Sequence, residues 1–415
     1  MRPLFFCLIL SMLVLPACDR GEEALVETAR AIHERVLTID THADIPFNFA
    51  TEEVDPLDAD RQVNLQKMQE GGLDAAFFIV YVGQTERTPE NYEKAKADAL
   101  VKFDAIHRMT EELYPDLIEL AYTADDVERI HRAGKLVAAI GIENGYVIGK
   151  DLALLKQYHD LGARYMTLAH NGHNDIADSA QPQPELGDVE AEHDGLSPFG
   201  EEVVREMNRL GIMVDVSHIS KAAMLDAVRV SRAPVIASHS SVRALADHPR
   251  NMDDEQLRAL KENGGVIQIV ALEAFVKADP PEKEAAVAAL REEMGITGYA
   301  AWQALSDSAR AVYRARMDEI DARWPGPDVR DFVDHIDYAV ELIGIDHVGI
   351  ASDFDGGGGL EGWQDASETF NVTLELVRRG YTEAQIAQLW GGNLLRVWRE
   401  VERVAREMQA EVASR

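Results

Sequence analysis

Residues 195–218 read GLSPFGEEVVREMNRLGIMVDVSH. The stretch 198–210 has the apolar spacing of an amphipathic helix, and 212–217 (IMVDVS) is a short β-branched run that ends on His218. The same alternation extends in both directions. Runs at 36–40 (VLTID), 73–82 (LDAAFFIVYV), 136–142, 164–169 (RYMTLA), 234–238 (PVIAS), 265–271 (GVIQIVA) and 347–352 (HVGIAS) bring the total to eight. Helical patterns at 90–110, 151–161, 220–230 and 253–262 lie between them. Several runs are apolar throughout, as a parallel sheet covered on both faces requires. Eight such units in one series predict an α/β protein, a single (β/α)8 TIM-like barrel. An open doubly wound sheet is the alternative; no GxGxxG follows the first run, which weighs against it.

About 75 residues separate the seventh and eighth runs. The stretch 280–322 is rich in Ala, Glu and Arg with helical periodicity, so it reads as a helical insertion between strands 7 and 8. It leaves from the carboxyl end of strand seven, the face on which barrels build active sites. Tyr299, Trp302 and Tyr313 recur on it at roughly helical spacing. They call for an apolar surface, either the barrel mouth as a cap or a partner subunit in a homodimer.

The chain has 415 residues, with 46% hydrophobic and 27% charged, too apolar for disorder. With 41 Lys+Arg against 73 Asp+Glu, the net charge is -32, which argues against nucleic acid as a partner. The two cysteines, Cys7 and Cys18, both precede residue 19, so thiol chemistry and internal disulfides are excluded from the rest. Residues 4–15 form an apolar run of 12 after Arg2, too short to span a membrane and right for a signal-peptide core. Leu15-Pro16-Ala17-Cys18 resembles a bacterial lipobox, in which the cysteine is lipidated and becomes the first mature residue. The division expected is a lipoprotein-type signal peptide over 1–17, an N-terminal tether and helix over 18–35, and the barrel over 36–415. An ordinary cleaved signal peptide is the alternative. The lipid anchor at Cys18 would place the protein on the bacterial cell envelope, facing the periplasm or the exterior.

Polar residues gather where the runs end. His42 and Asp44 follow the first, Glu143 the third, His170 the fourth, His218 the fifth, His239 the sixth and Asp353 the eighth. Side chains alternate along a strand, so His42 and Asp44 point the same way and offer one nitrogen and one oxygen to a single ion. His218 and His239, from adjacent strands, offer two nitrogens to another, and Glu143 lies between the groups as a bridge. Imidazole and carboxylate without thiolate suit two Zn2+, with Mn2+ or Co2+ as substitutes. Asp355 shares the parity of Asp353 but reads as ordering the glycine run 356–359. His173 reads as a loop residue. His33, His107, His131, His159, His193 and His335 read as surface residues.

These positions resemble a known family, the membrane (renal-type) dipeptidases or M19 metallopeptidases. The resemblance runs through DTHAD at 40–44, GIENG at 141–145, RYMTLAHN at 164–171, the segment 195–218, ASHSSVRAL at 237–245, HPRNM at 248–252, SDFDG at 352–356 and WGGNLLRV at 390–397. It implies a distorted barrel with two zinc ions that cleaves dipeptides. It implies His42 and Asp44 on the first zinc, Glu143 as the bridge, His218 and His239 on the second, and Asp353 beside the first zinc and the catalytic water. His170 would bind substrate and stabilise the tetrahedral oxygen, and Arg250 would hold the substrate. Asn393 falls in a family-typical motif and reads as structural. Asn144 departs from the family's glutamate-glycine pair.

The expected reaction is dipeptide hydrolysis by a metal-bridging hydroxide, with Asp353 carrying the proton to the leaving amine. One rival is a barrel metal hydrolase acting on a lactam, lactone or ester; its usual HxH motif and modified lysine are replaced here by HxD and Glu143. The other rival is a lipid-anchored solute-binding protein, which needs no metal pair.

Overall fold

The computed structural model describes residues 17–297, 301–302 and 305–414. Residues 1–16, on which the expected signal-peptide core falls, the side chain of Cys18, and Tyr299 lie outside the described residues.

Nine strands are present: β1 (Ile39–Asp44), β2 (Ala75–Tyr81), β3 (Ile118–Leu120), β4 (Leu136–Glu143), β5 (Ala163–Thr167), β6 (Met213–Asp215), β7 (Ile236–Ser240), β8 (Val266–Val270) and β9 (Val348–Ala351). Eight of them, in the order β1-β2-β4-β5-β6-β7-β8-β9, form a nearly closed parallel barrel alternating with helices. Each of the eight expected runs meets a strand. The first is displaced: β1 runs through His42 and Asp44 rather than stopping before them. The strand not foreseen, β3, pairs with Leu136–Ala138, and β5 takes over that edge of β4 from Ile140. It lengthens one edge and is not a barrel stave. At the closing seam, Asp44 N–H donates to Phe354 O (2.9 Å), and the Asp40 carboxylate accepts Ser352 N–H (2.9 Å) and the Ser352 hydroxyl.

Ile39, Phe77, Ile79, Val137, Tyr165, Met213, Ile236 and Val266 are buried together in one cluster. Leu394, Leu395, Trp398 and Val401 of the helix Asn393–Ala413 complete it, with Trp398 5.6 Å from the Phe77 ring. Burial of side chains this size contributes roughly 1.5–3 kcal/mol each. The helix thus plugs the amino end of the barrel and leaves the carboxyl end for chemistry.

Two bulges decide what faces that end. Along β1 the register passes from Asp40↔Ala76 to Ala43↔Phe78, three residues against two. Inward facing therefore shifts from Ile39 to His42 and Asp44. Along β7 it passes from Ala237↔Ile267 to Ser240↔Ile269, and His239 is turned inward in the same way.

The insertion is helical as expected. Helices Pro281–Glu293 and Asp307–Asp321 are joined by Arg316–Glu293 (3.2 Å) and by Lys283, held 3.0 Å from both Asp279 and Asp321. Trp302 and Tyr313 pack edge to face on each other at 5.1 Å, so the two rings supply part of the apolar surface they need. The polar stretch 19–23 falls within the helix Ala17–His33, and Arg30 of that helix lies 4.8 Å over Phe370. The surface expectation fails for two histidines. His33 is buried because its ring nitrogens find Thr373 Oγ1 (2.7 Å) and Gly71 O (2.8 Å). His335 is buried between Val242 N (3.1 Å) and Val276 O (2.8 Å). Among the described residues, no helix is long and apolar enough to cross a membrane.

Candidate active site

The carboxyl ends of the strands surround a cavity of about 1110 Å³. Asp44, Glu143, His170, His218, Arg250 and Asp353 line it. His42 and His239, 0% and 1% exposed, lie under its floor. All eight residues singled out from the sequence therefore meet at one place.

Glu143 is the centre. Its Oε2 lies 3.6 Å from His42 Nε2, which is also 3.6 Å from Asp44 Oδ2 and 3.7 Å from Asp353 Oδ1. Its Oε1 faces His218 Nε2 (3.0 Å), His239 Nε2 (3.3 Å) and His170 Nε2 (3.8 Å). One carboxylate thus addresses two donor groups with different oxygens.

The residues fit metal cations. His42 Nε2 is buried without a hydrogen-bond partner. His218 Nε2 and His239 Nε2 converge to 2.8 Å. Three trios of donors, His42–Glu143–His239, Glu143–His170–His218 and His42–Asp44–Asp353, each lie within 4.8 Å of one another. The far ring nitrogens are held by other groups: His42 Nδ1 by Tyr165 Oη (2.9 Å), His239 Nδ1 by Ser238 Oγ (2.8 Å) and His218 Nδ1 by Asn171 Oδ1 (3.3 Å). Such partners orient imidazole ligands.

The backbone is strained around this cluster. Asn144 (φ 77°), His218 (φ 67°), Asp353 (φ 60°) and Asp355 (φ 63°) all occupy the left-handed region. Each costs of order 1–3 kcal/mol and persists only where its surroundings enforce it, as at functional sites.

Charge is tightly balanced. Burial pushes the Asp353 carboxyl up to about 8, opposed by His42 and reinforced by Asp44 and Glu143. Burial also opposes charge on Glu143 and His42, yet their attraction wins, holding Glu143 well below and His42 well above the ordinary values. Burial drives His218 and His239 well below theirs. Two buried carboxylates, Glu143 and Asp353, with the half-buried Asp44 beside them, call for positive charge, which is what a metal would supply.

Like Lys102 on another side, Arg250 is a buried cation facing this acid cluster. It is 3% exposed, its Nη2 donates to His239 O (3.2 Å), and its Nε has no partner. Burial lowers its pKa to about 10. Among the described residues no carboxylate lies within ion-pair distance of it, so it is placed to receive an anion from the cavity.

Other expectations are settled by contacts. His173 accepts from Ser179 N (2.9 Å) and bonds Val189 O (2.8 Å), pinning its loop. Asp355 accepts from Gln62 N and Val63 N and pairs with Arg61, so it orders the 61–63 segment rather than the glycine run. Asn144 donates to Val82 O and accepts from Tyr146 N, linking loops. Asn393 bonds Ile345 O and Val348 O, away from the cavity.

Sequence reasoning missed Tyr81, whose ring lies 4.8 Å from that of His170. Its inward register with Phe77 and Ile79 was the available signal. It also missed Lys102, buried over the Phe47 and Tyr81 rings, which reads as any helix-surface lysine. Thr297 and Ala301 of the insertion reach the cavity wall.

The sequence profile of the membrane dipeptidase family matches residues 26–412. The chain is 36% identical over 348 residues to Dipeptidase tcpJ of Claviceps purpurea (strain 20.1), covering 83% of this chain and 70% of that protein. It is 35% identical over 354 residues to Dipeptidase aclJ of Aspergillus oryzae (strain ATCC 42149 / RIB 40), covering 84% and 72%. The crystal structure of the probable dipeptidase PvdM from Pseudomonas aeruginosa superposes with a TM-score of 0.82 at 34% identity, covering 92% of this chain and 100% of that one. The chain belongs to the membrane dipeptidase family, peptidase family M19.

Proposed function

We propose that the chain is a dinuclear zinc dipeptidase. His42 and Asp44 would hold one ion with Asp353 beside it, His218 and His239 would hold the other, and Glu143, facing both groups, would serve the two. Two zinc ions held there would supply Lewis acidity for the attack of water on the peptide carbonyl. The remaining work falls to the chain's own side chains. Arg250 pairs its planar guanidinium with the free carboxylate of a dipeptide, which sets the scissile bond over the Glu143 cluster. His170, packed beside the Tyr81 ring, donates to the carbonyl oxygen as negative charge develops there. Asp353 takes the proton of the attacking water and passes it to the leaving amine.

The observation that carries the reading is Glu143, with one oxygen turned to each donor group. The names of the two fungal relatives support dipeptides as substrates. The test is zinc content per chain together with hydrolysis of a dipeptide library by metal-reconstituted protein. Two zincs and cleavage of free dipeptides are expected; one zinc or none, or cleavage confined to esters or lactams, would overturn it. For location, the lipobox supports lipidation at Cys18 and attachment to the bacterial envelope. Cys18→Ala should then release the protein from membranes, and unchanged membrane association with an unmodified N-terminus would remove this part.

A further inference from the structure

The DVSH segment contains an acid that the reaction above does not use. Asp215 ends β6, is 0% exposed and accepts four hydrogen bonds. Oδ1 takes Ser217 N–H (3.1 Å) and Ser238 N–H (2.8 Å), and Oδ2 takes Thr167 Oγ1–H (2.5 Å) and Ser238 Oγ–H (2.7 Å). Ser238 Oγ lies in turn 2.8 Å from His239 Nδ1.

A serine hydroxyl has one proton, and a carboxylate can only accept. The charge-assisted bond claims that proton for Asp215. The Ser238 oxygen is left as an acceptor, so its contact with His239 requires the ring proton on Nδ1. His239 Nε2 then keeps its lone pair, and Nε2 is the atom aimed at Glu143 Oε1 (3.3 Å) and His218 Nε2 (2.8 Å). Tyr165 is also beside Ser238, but its hydroxyl donates to Thr41 O (3.0 Å) and does not change where the serine proton goes.

We propose that Asp215, acting through Ser238, is a positioning residue that fixes His239 in the tautomer whose Nε2 lone pair faces the metal site. The proposal rests on the metal reading above. It also identifies a substitution that changes the tautomer without changing shape. An Asn at 215 must turn its carbonyl oxygen to the two backbone N–H groups and its NH2 to the two hydroxyls. Ser238 would then accept from the amide and donate to His239 Nδ1, which moves the ring proton to Nε2 and blocks the ligand atom.

The experiment compares wild type, Asp215→Asn, Ser238→Ala and Ser238→Thr. Nitrogen-15 NMR of the metal-free protein reads the His239 tautomer, with the signal assigned by its loss in His239→Gln. Zinc competition against a chelator reads affinity, and thermal unfolding of the metal-free protein reads the fold. Asp215→Asn should fold like wild type, carry the proton on Nε2 and bind the zinc of the His218–His239 group roughly 10–100-fold less tightly. Ser238→Ala should also weaken zinc, and Ser238→Thr, which keeps the hydroxyl, should restore it. If Asp215→Asn fails to fold, the Ser238 pair decides. Wild-type tautomer and zinc affinity in either Asp215→Asn or Ser238→Ala would overturn the proposal. Wild-type protein that binds fewer than two zincs would overturn the dinuclear reading instead, while the tautomer in metal-free protein still judges Asp215.

Discussion

Gly356 stands against Asp44: a Cβ at this glycine would lie 2.3 Å from Asp44 Oδ2 and 2.6 Å from Asp353 Oδ1. Neither carboxylate can yield without leaving the His42 group. Gly356→Ala should therefore weaken metal retention by roughly tenfold or more. The unfolding temperature of the metal-free protein should move little, because the methyl meets side chains and not backbone. Zinc per chain after dialysis against a chelator checks this, and full zinc retention would refute it.

Arg250 should limit the enzyme to dipeptides. In a tripeptide the position of the terminal carboxylate is taken by a neutral amide, which leaves a buried guanidinium without its anion. That costs a few kcal/mol, or roughly tens to thousands in kcat/KM. Arg250→Ala should raise KM for dipeptides and shrink the gap between dipeptides and their C-terminal amides. Arg250→Lys keeps the charge but loses the planar fork and should remain impaired. Equal rates on dipeptides and their amides in the wild type would remove this role.

His335 should make the fold acid-sensitive. It accepts Val242 N–H on Nδ1 and donates from Nε2 to Val276 O, so it must be neutral, and burial lowers its pKa below the ordinary value. A lowered folded-state pKa means that the unfolded chain binds the proton first. The contribution to stability is present above the unfolded value of about 6.5 and is lost as pH falls through the folded value. Denaturant unfolding across this range should show a shallower acid slope in His335→Gln than in wild type, whatever the offset between them. Identical slopes would show that His335 does not titrate this way.

The insertion should restrict what enters. Thr297 and Ala301 reach the cavity wall from a helical pair held together by its own ion pairs. Replacing 280–322 with a short linker should leave the barrel folded and broaden the accepted size of the substrate side chains. Unchanged specificity, with altered oligomeric state only, would assign the segment to an interface.

The barrel was legible because each of its eight strands, even the three-residue β6, overlaps a sequence run of five residues or more. β3 was not, because Ile118-Glu119-Leu120 is too short to show a period. The two-residue spacing of His42 and Asp44 correctly gave a shared face. It could not show that the bulges in β1 and β7 are what turn that face, and His239, toward the cavity. Asp215 was visible as a charge inside an apolar strand and passed unread. Gly356 carried no signal, because its role is to leave room for two acids that are distant in sequence.

The barrel's seam runs between the two ends that carry Asp44 and Asp353. Apart from β6 and β7, which meet at a single pair, each stave is fastened to the next by a ladder; here the Asp44–Phe354 bond and the Asp40–Ser352 contacts carry the joint. A cation gripped from both sides of that joint would act as a clasp on the hoop, so that filling the site and closing the ring would become one equilibrium. The place to read it is the Asp44 amide, whose hydrogen exchange should slow as the site fills, in step with a rising resistance of the whole barrel to heat.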